Sequence, residues 1–185
     1  MRYLLIVYLL LVPLSLSADC RGLAPARGVP APAENEWTLA TLNLWRLRDT
    51  RKDSHLDKPL SSAVLDRRIQ ALVDFIAGPL QVPHMLAVQE VENRELLDAL
   101  AAGLARQGWR YRVVLKEGND PSGMDVGLLY REPVQIASVD RLFAEQGFHG
   151  HSLFSRPPLR VTVQAPRQLQ LVVVHLRSAR GLQKP

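Results

Sequence analysis

Glu90 closes the apolar run Leu86-Ala87-Val88-Gln89. Placing an ionised carboxylate in or beside an apolar strand is costly unless a cation or strong hydrogen bonds compensate. A hard divalent metal supplies that compensation, and magnesium needs only one or two protein carboxylates because water and phosphate complete its shell. The plain alternative is an exposed glutamate at a strand end. Asn43 interrupts the strand-like stretch Thr38 to Trp45, where asparagine is depleted. Its amide suits a place beside a metal ligand, a water or a phosphate oxygen, although a turn-like asparagine at a strand terminus explains it as well. His175 ends the run Leu169 to Val174, the most hydrophobic strand pattern after the N-terminal segment. Such a run predicts a central strand buried on both faces, with an imidazole at its end placed for proton transfer or phosphate contact. A merely satisfied histidine remains open. Arg156, between Ser155 and Pro157-Pro158, is a fork donor on a stiffened stretch, a geometry useful for phosphate. Asp125 opens the run DVGLLY, where it can orient a histidine, join a metal shell or simply end a turn.

Other chemistries find little support. The sequence has no Gly-x-Ser-x-Gly elbow, no glycine-rich phosphate loop and no paired-cysteine motif. His149 and His151 flank Gly150 without a cysteine or acidic partner at zinc-site spacing, so they read as loop residues.

The elements that must position these groups follow from periodicity. Thr38 to Trp45 reads as a strand and Arg46 to Leu60 as a polar loop. Val64, Leu65, Ile69, Leu72, Val73 and Ile76 recur at helical spacing between a cap at Ser61 or Ser62 and a stop at Gly78-Pro79. His84 to Val91 has strand length, and a second helix is expected from Asn93 to Gly108, with Leu96, Leu97, Leu100 and Leu104 on one face. Strands are expected at 110–115, 126–130, 134–139, 159–164 and 169–176, the last two forming a hairpin across 165–168. Alternation followed by a run of strands indicates a mixed sheet with helices on one face and a second face that needs cover.

The N-terminus reads as an export address. Arg2 precedes the apolar run Leu4 to Leu14, and Ser15, Ser17 and Ala18 supply small residues for cleavage. The reading is a signal peptide over 1–18, a Pro/Ala-rich linker over 19–36 and a folded domain over 37–185, with a periplasmic or extracellular destination. Cys20, the single cysteine, is a candidate for lipid attachment, although Asp19 stands where that pattern wants a small residue. With one cysteine the chain forms no internal disulfide. A net charge of +5 favours polyanionic partners, nucleic acid or an anionic surface, without arguing for a fold.

In order, LATLNLW, LAVQEVEN, GMDVGLLYREP, FSRPPLRV and VVVHLRS resemble the endonuclease/exonuclease/phosphatase superfamily, which includes deoxyribonuclease I and bacterial sphingomyelinases. The resemblance covers Thr38 to about Ser178. It implies an α+β fold, a four-layered αββα sandwich, and hydrolysis of a phosphodiester in nucleic acid or a related substrate. By the family's pattern Glu90 ligates magnesium, with manganese or calcium as alternatives. Asn43 helps seat metal and phosphate, Arg156 contacts the phosphate and His175 takes part in catalysis. Asp125 falls near an acidic family position. The family also carries Gly-Asp-x-Asn and Ser-Asp-His segments after the histidine strand, and neither follows His175 here. The expectation is therefore a truncated domain of weak or no activity, monomeric, with an apolar sheet face and open edges exposed. The alternatives are a non-catalytic exported remnant that binds nucleic acid or surface lipid, and a sphingomyelinase- or phosphatase-like substrate range.

Overall fold

The computed structural model describes residues 32–53, 55–164 and 169–176. The signal-peptide reading, Cys20 and the residues of the 165–168 connection lie outside them. Along the chain run β1 (Leu39–Leu47), α1 (Ser62–Ala77), β2 (Met85–Val91), α2 (Arg94–Arg106), β3 (Arg112–Leu115), β4 (Asp125–Tyr130) and β5 (Gln135–Arg141). The short strands β6 (Gly147–Phe148) and β7 (His151–Ser152) follow, then β8 (Leu159–Gln164) and β9 (Leu169–Val173).

Both helices end where the sequence places their caps. Ser61 precedes α1 in extended conformation, and the Gly78 N–H closes on the Asp74 carbonyl at 2.9 Å before Pro79 prevents continuation. The Asn93 side chain accepts from the Leu96 N–H at 3.1 Å, while Glu95 in the first turn and Arg106 in the last complement the dipole of α2.

One sheet has the order β1-β2-β4-β3, with β1 and β2 parallel and the other pairs antiparallel. The second has the order β5-β8-β9 and is antiparallel throughout. Alternation along β2 explains how both faces of the first sheet are buried. Leu86 and Val88 face the helices, packing with Val73, Ile76, Leu97, Leu100 and Leu104. Met85 and Ala87 face the second sheet with Val126, Leu128, Leu159, Val161, Val163 and Val173. The cover that the sequence demanded for the open face is this second sheet. Helices, sheet and sheet make three layers of an α+β sandwich among the described residues.

One local reading needs correction. The run ending at His175 is not a central strand: β9 is an edge of its sheet among the described residues, and Leu169, Val172, Val174 and Leu176 are 42, 43, 43 and 64 % exposed. A continuous apolar run has the same pattern whether both faces are covered or only one, and here Val173 alone of β9 is buried. His149 and Gly150 form the two-residue turn of the β6–β7 hairpin, with φ of 49° and 78°. Two left-handed residues in succession are what a type I′ hairpin requires.

Candidate active site

The sandwich brings all five residues singled out from the sequence toward one end of the first sheet, and there links Glu90, His175 and Arg156. Glu90 gets there through a bulge. In the β2–β4 ladder Gln89 pairs with Val126 and Val91 with Asp125, so Glu90 is the extra residue. Its φ is +60°, a left-handed conformation that a non-glycine residue adopts only at a cost. The adjacent β1 breaks register at the same level, between Asn43 and Leu47, with Trp45 and Arg46 also left-handed at φ 49° and 55°. The carbonyls freed there are taken up by Arg68 of α1, whose guanidinium donates to Leu44, Trp45 and Arg46 at 2.7, 2.8 and 3.1 Å. Burial lowers the pKa of Arg68. Trp45 is left 81 % exposed at the rim.

His175, two residues beyond the end of β9, places Nε2 3.4 Å from Glu90 Oε1, and both side chains are 21 % exposed. Burial lowers the imidazole pKa, the Arg156 charge lowers it further, and the Glu90 and Asp120 carboxylates oppose them. Near neutral pH the contact therefore joins a carboxylate to a neutral ring, not two opposite charges. The other ring nitrogen, Nδ1, is buried without a partner.

Arg156 is positioned by the polar loop between β3 and β4. Its Nη2 donates to Asp120 Oδ2 at 3.2 Å, and the two side chains are 14 and 11 % exposed. The same Asp120 oxygen accepts from the Ser122 hydroxyl at 2.6 Å and the Met124 N–H at 3.3 Å. Asn119 N–H donates to the Ser155 carbonyl at 2.8 Å, which ties the loop to the Arg156 segment directly. Arg156 Nε is buried with no partner. A guanidinium anchored by one nitrogen holds a fixed positive charge near His175.

Asp125 is 3 % exposed at the start of β4 and accepts from the Gly118 N–H at 2.8 Å. Burial first, and the neighbouring Glu117 carboxyl second, push it up to about 8, so it is protonated at neutral pH. It holds the Glu117–Gly123 loop from below. Gly118 is dictated by this contact, because a Cβ there would lie 2.5 Å from Asp125 Oδ1. No hydrogen bond links Asp125 or Asn43 to Glu90 or His175 among the described residues. Asn43 is exposed, pairs with Gln89 in register, and turns its carbonyl oxygen to the Trp45 N–H at 2.8 Å.

Besides Asp120, sequence reading missed a buried acidic group next to this centre. Glu92 accepts from the Asp49 N–H at 2.6 Å, and burial, with the Asp57 and Asp49 carboxyls nearby, pushes it up to about 7. Asp57 pairs with buried Arg48 at 2.8 Å. A cleft of about 380 Å³ runs from these residues to Glu117, Asp120 and Gly123. The available signal for Asp120 was the turn sequence Asp-Pro-Ser-Gly, which marks a fixed loop, while the signal for Glu92 was a second acid two residues after Glu90.

The donor set fits a hard divalent ion held mainly by water and substrate. It offers one strained, half-buried carboxylate and, among the described residues, no group of three His, Cys, Asp or Glu able to hold a metal alone. The Arg156 charge near His175 fits the phosphate that would share such an ion.

No protein-family model matches the sequence, and no curated protein matches it. Solved structures do. The chain is similar to TDP2 from Caenorhabditis elegans at 20 % identity and TM-score 0.45, over 65 % of this chain and 33 % of that one. The human Nocturnin catalytic domain with bound sulfate is similar at 16 % identity and TM-score 0.48, over 74 and 50 %. An endonuclease/exonuclease/phosphatase from Bacteroides vulgatus is similar at 15 % identity and TM-score 0.40, over 69 and 44 %. The chain thus spans one third to one half of the proteins it resembles. At these scores and identities the likenesses carry no chemistry over, which must be argued from the site itself.

Proposed function

We propose that the chain carries the Glu90–His175 centre of an exported, metal-dependent hydrolase of phosphodiester bonds, nuclease-like in its substrate. The observation that supports it best is Glu90, turned out of its strand by a left-handed bulge onto His175. Strain of this kind persists where the surroundings over-determine it, and it clusters at functional sites. Bound magnesium would neutralise charge on the transferring phosphoryl group and polarise the attacking water. Arg156, fixed by Asp120, contributes its guanidinium charge to the phosphate. The His175 ring beside Glu90 serves as the proton acceptor. Exposed Trp45 at the rim offers a face on which a base can stack, which favours nucleic acid over a lipid headgroup. The N-terminal apolar segment is the support for export; among the described residues no helix is long and apolar enough to cross a membrane.

The test has two readouts. Magnesium together with a phosphorothioate dinucleotide should raise the melting temperature of the full chain, and Glu90→Ala and Arg156→Ala should each abolish the rise. Any cleavage of plasmid DNA should require the metal and fall at least about a hundredfold in Glu90→Ala. Metal-free cleavage, or a ligand-induced rise that survives both substitutions, would refute the reading.

A further inference from the structure

The first sheet has a second polar feature at the end opposite Glu90. Asp125 lies level with Val91, whereas Tyr130, at the other end of β4, pairs with Met85 and Arg112. The two ends are roughly 17 Å apart at about 3.4 Å per residue. There a cleft of about 560 Å³ is lined by Trp109, Arg110, Arg112, Tyr130, Arg131 and Glu132, among others.

The local sequence builds this cleft deliberately. α2 ends with the Trp109 N–H reaching back to the Leu104 carbonyl at 3.0 Å, around Gly108 at φ +91°. That reversal turns the indole out, 40 % exposed. Alternation then sets Arg110 and Arg112 outward on either side of Tyr111, which is buried with its hydroxyl on the Pro83 carbonyl. Arg131 is fixed by two bonds to the Val82 carbonyl, at 3.1 and 2.9 Å, and its guanidinium carbon lies 5.6 Å from the centroid of the Trp109 ring. A pinned cation therefore stands over the indole, which stays 40 % exposed. Arg110 and Arg112 make no salt bridge among the described residues, so a single carboxylate, Glu132, faces three guanidinium groups in this cleft.

We propose that this cleft is a second binding site, for an aromatic base bearing a phosphate, with the base stacked on Trp109 and the phosphate on Arg110 and Arg112. A partly exposed indole and two fork donors without salt bridges in one cleft match the two halves of a nucleotide. The ligand's source is a free mononucleotide or one residue of a single strand. The site stands on its own residues and does not depend on hydrolysis at Glu90.

Calorimetric titration of the full chain with adenosine monophosphate, a short oligodeoxynucleotide and inorganic phosphate tests it. The assignment expects binding of the mononucleotide, the oligonucleotide or both, with inorganic phosphate at least about tenfold weaker. Trp109→Leu and the double substitution Arg110→Gln/Arg112→Gln should each weaken it by about tenfold or more, the loss expected from one stacked base. Glu90→Ala/Arg156→Ala should leave it intact, which separates this site from the candidate active site. Binding by the mononucleotide assigns a free ligand, and binding by the oligonucleotide alone assigns a strand. Inorganic phosphate binding equally well, binding unchanged in both cleft variants, or no binding by either nucleotide ligand at millimolar concentration would overturn it. Far-ultraviolet circular dichroism and melting, matched between the variants and the parent, confirm that these surface changes act locally.

Discussion

Replacing Glu90 by glycine and by alanine isolates the backbone strain from the lost carboxylate. Both substitutions remove the charge and the 3.4 Å contact to His175, so those losses cancel between them. What remains is the conformation at φ +60°. In an ordinary strand glycine is less stable than alanine by about 0.5–1 kcal/mol, because the unfolded chain gains entropy. In the left-handed region a residue with a Cβ costs about 1–2 kcal/mol that glycine does not. The second effect exceeds the first, and Glu90→Gly should be more stable than Glu90→Ala by about 1 kcal/mol. For a domain of this size that is a difference in melting temperature of about 3 °C, with glycine higher. Urea and thermal denaturation of the two variants, followed by circular dichroism, give the comparison directly. If the alanine variant is equally or more stable, Glu90 is not strained, and the bulge loses its standing as a functional feature.

Two further outcomes follow from the same loop and its carboxyls. Asp125 and Glu92 have folded pKa values near 8 and 7, both above the ordinary carboxyl range, so the folded state holds more protons than the unfolded one. Their contribution to stability is complete below about pH 4 and is lost as pH rises through 7 and 8. Asp125→Asn, which still accepts from Gly118, should flatten the upper part of that decline in a series of urea midpoints, and an unchanged slope would contradict the assignment. Gly118→Ala places a methyl group 2.5 Å from Asp125 Oδ1 and 3.3 Å from Pro157. It should cost about 1–3 kcal/mol in denaturant titration; a neutral result would mean that the loop does not rest on Asp125.

Local features of this protein were legible in its sequence because local chemistry decides them. Ser61 and Gly78-Pro79 bracket α1, Asn93 caps α2, and the longer strands from Leu39 to Gln164 follow apolar patterns that need no knowledge of their partners, whereas the short β6–β7 hairpin does not. Glu90 stood out as a charge at the end of an apolar run, and His175 as an imidazole at the end of another. The tertiary structure decided what surrounds them. The 3.4 Å approach of His175 to Glu90 and the Arg156–Asp120 pair across 36 residues of sequence are set by sheet packing, which no spacing encodes. The bulge depends on register between β2 and its neighbours, and a pattern of period two has no mark for one extra residue. The apolar run of β9 predicted burial, yet exposure depends on what lies on each face, and only the assembled sheets show that one face of β9 meets the core while the other meets water.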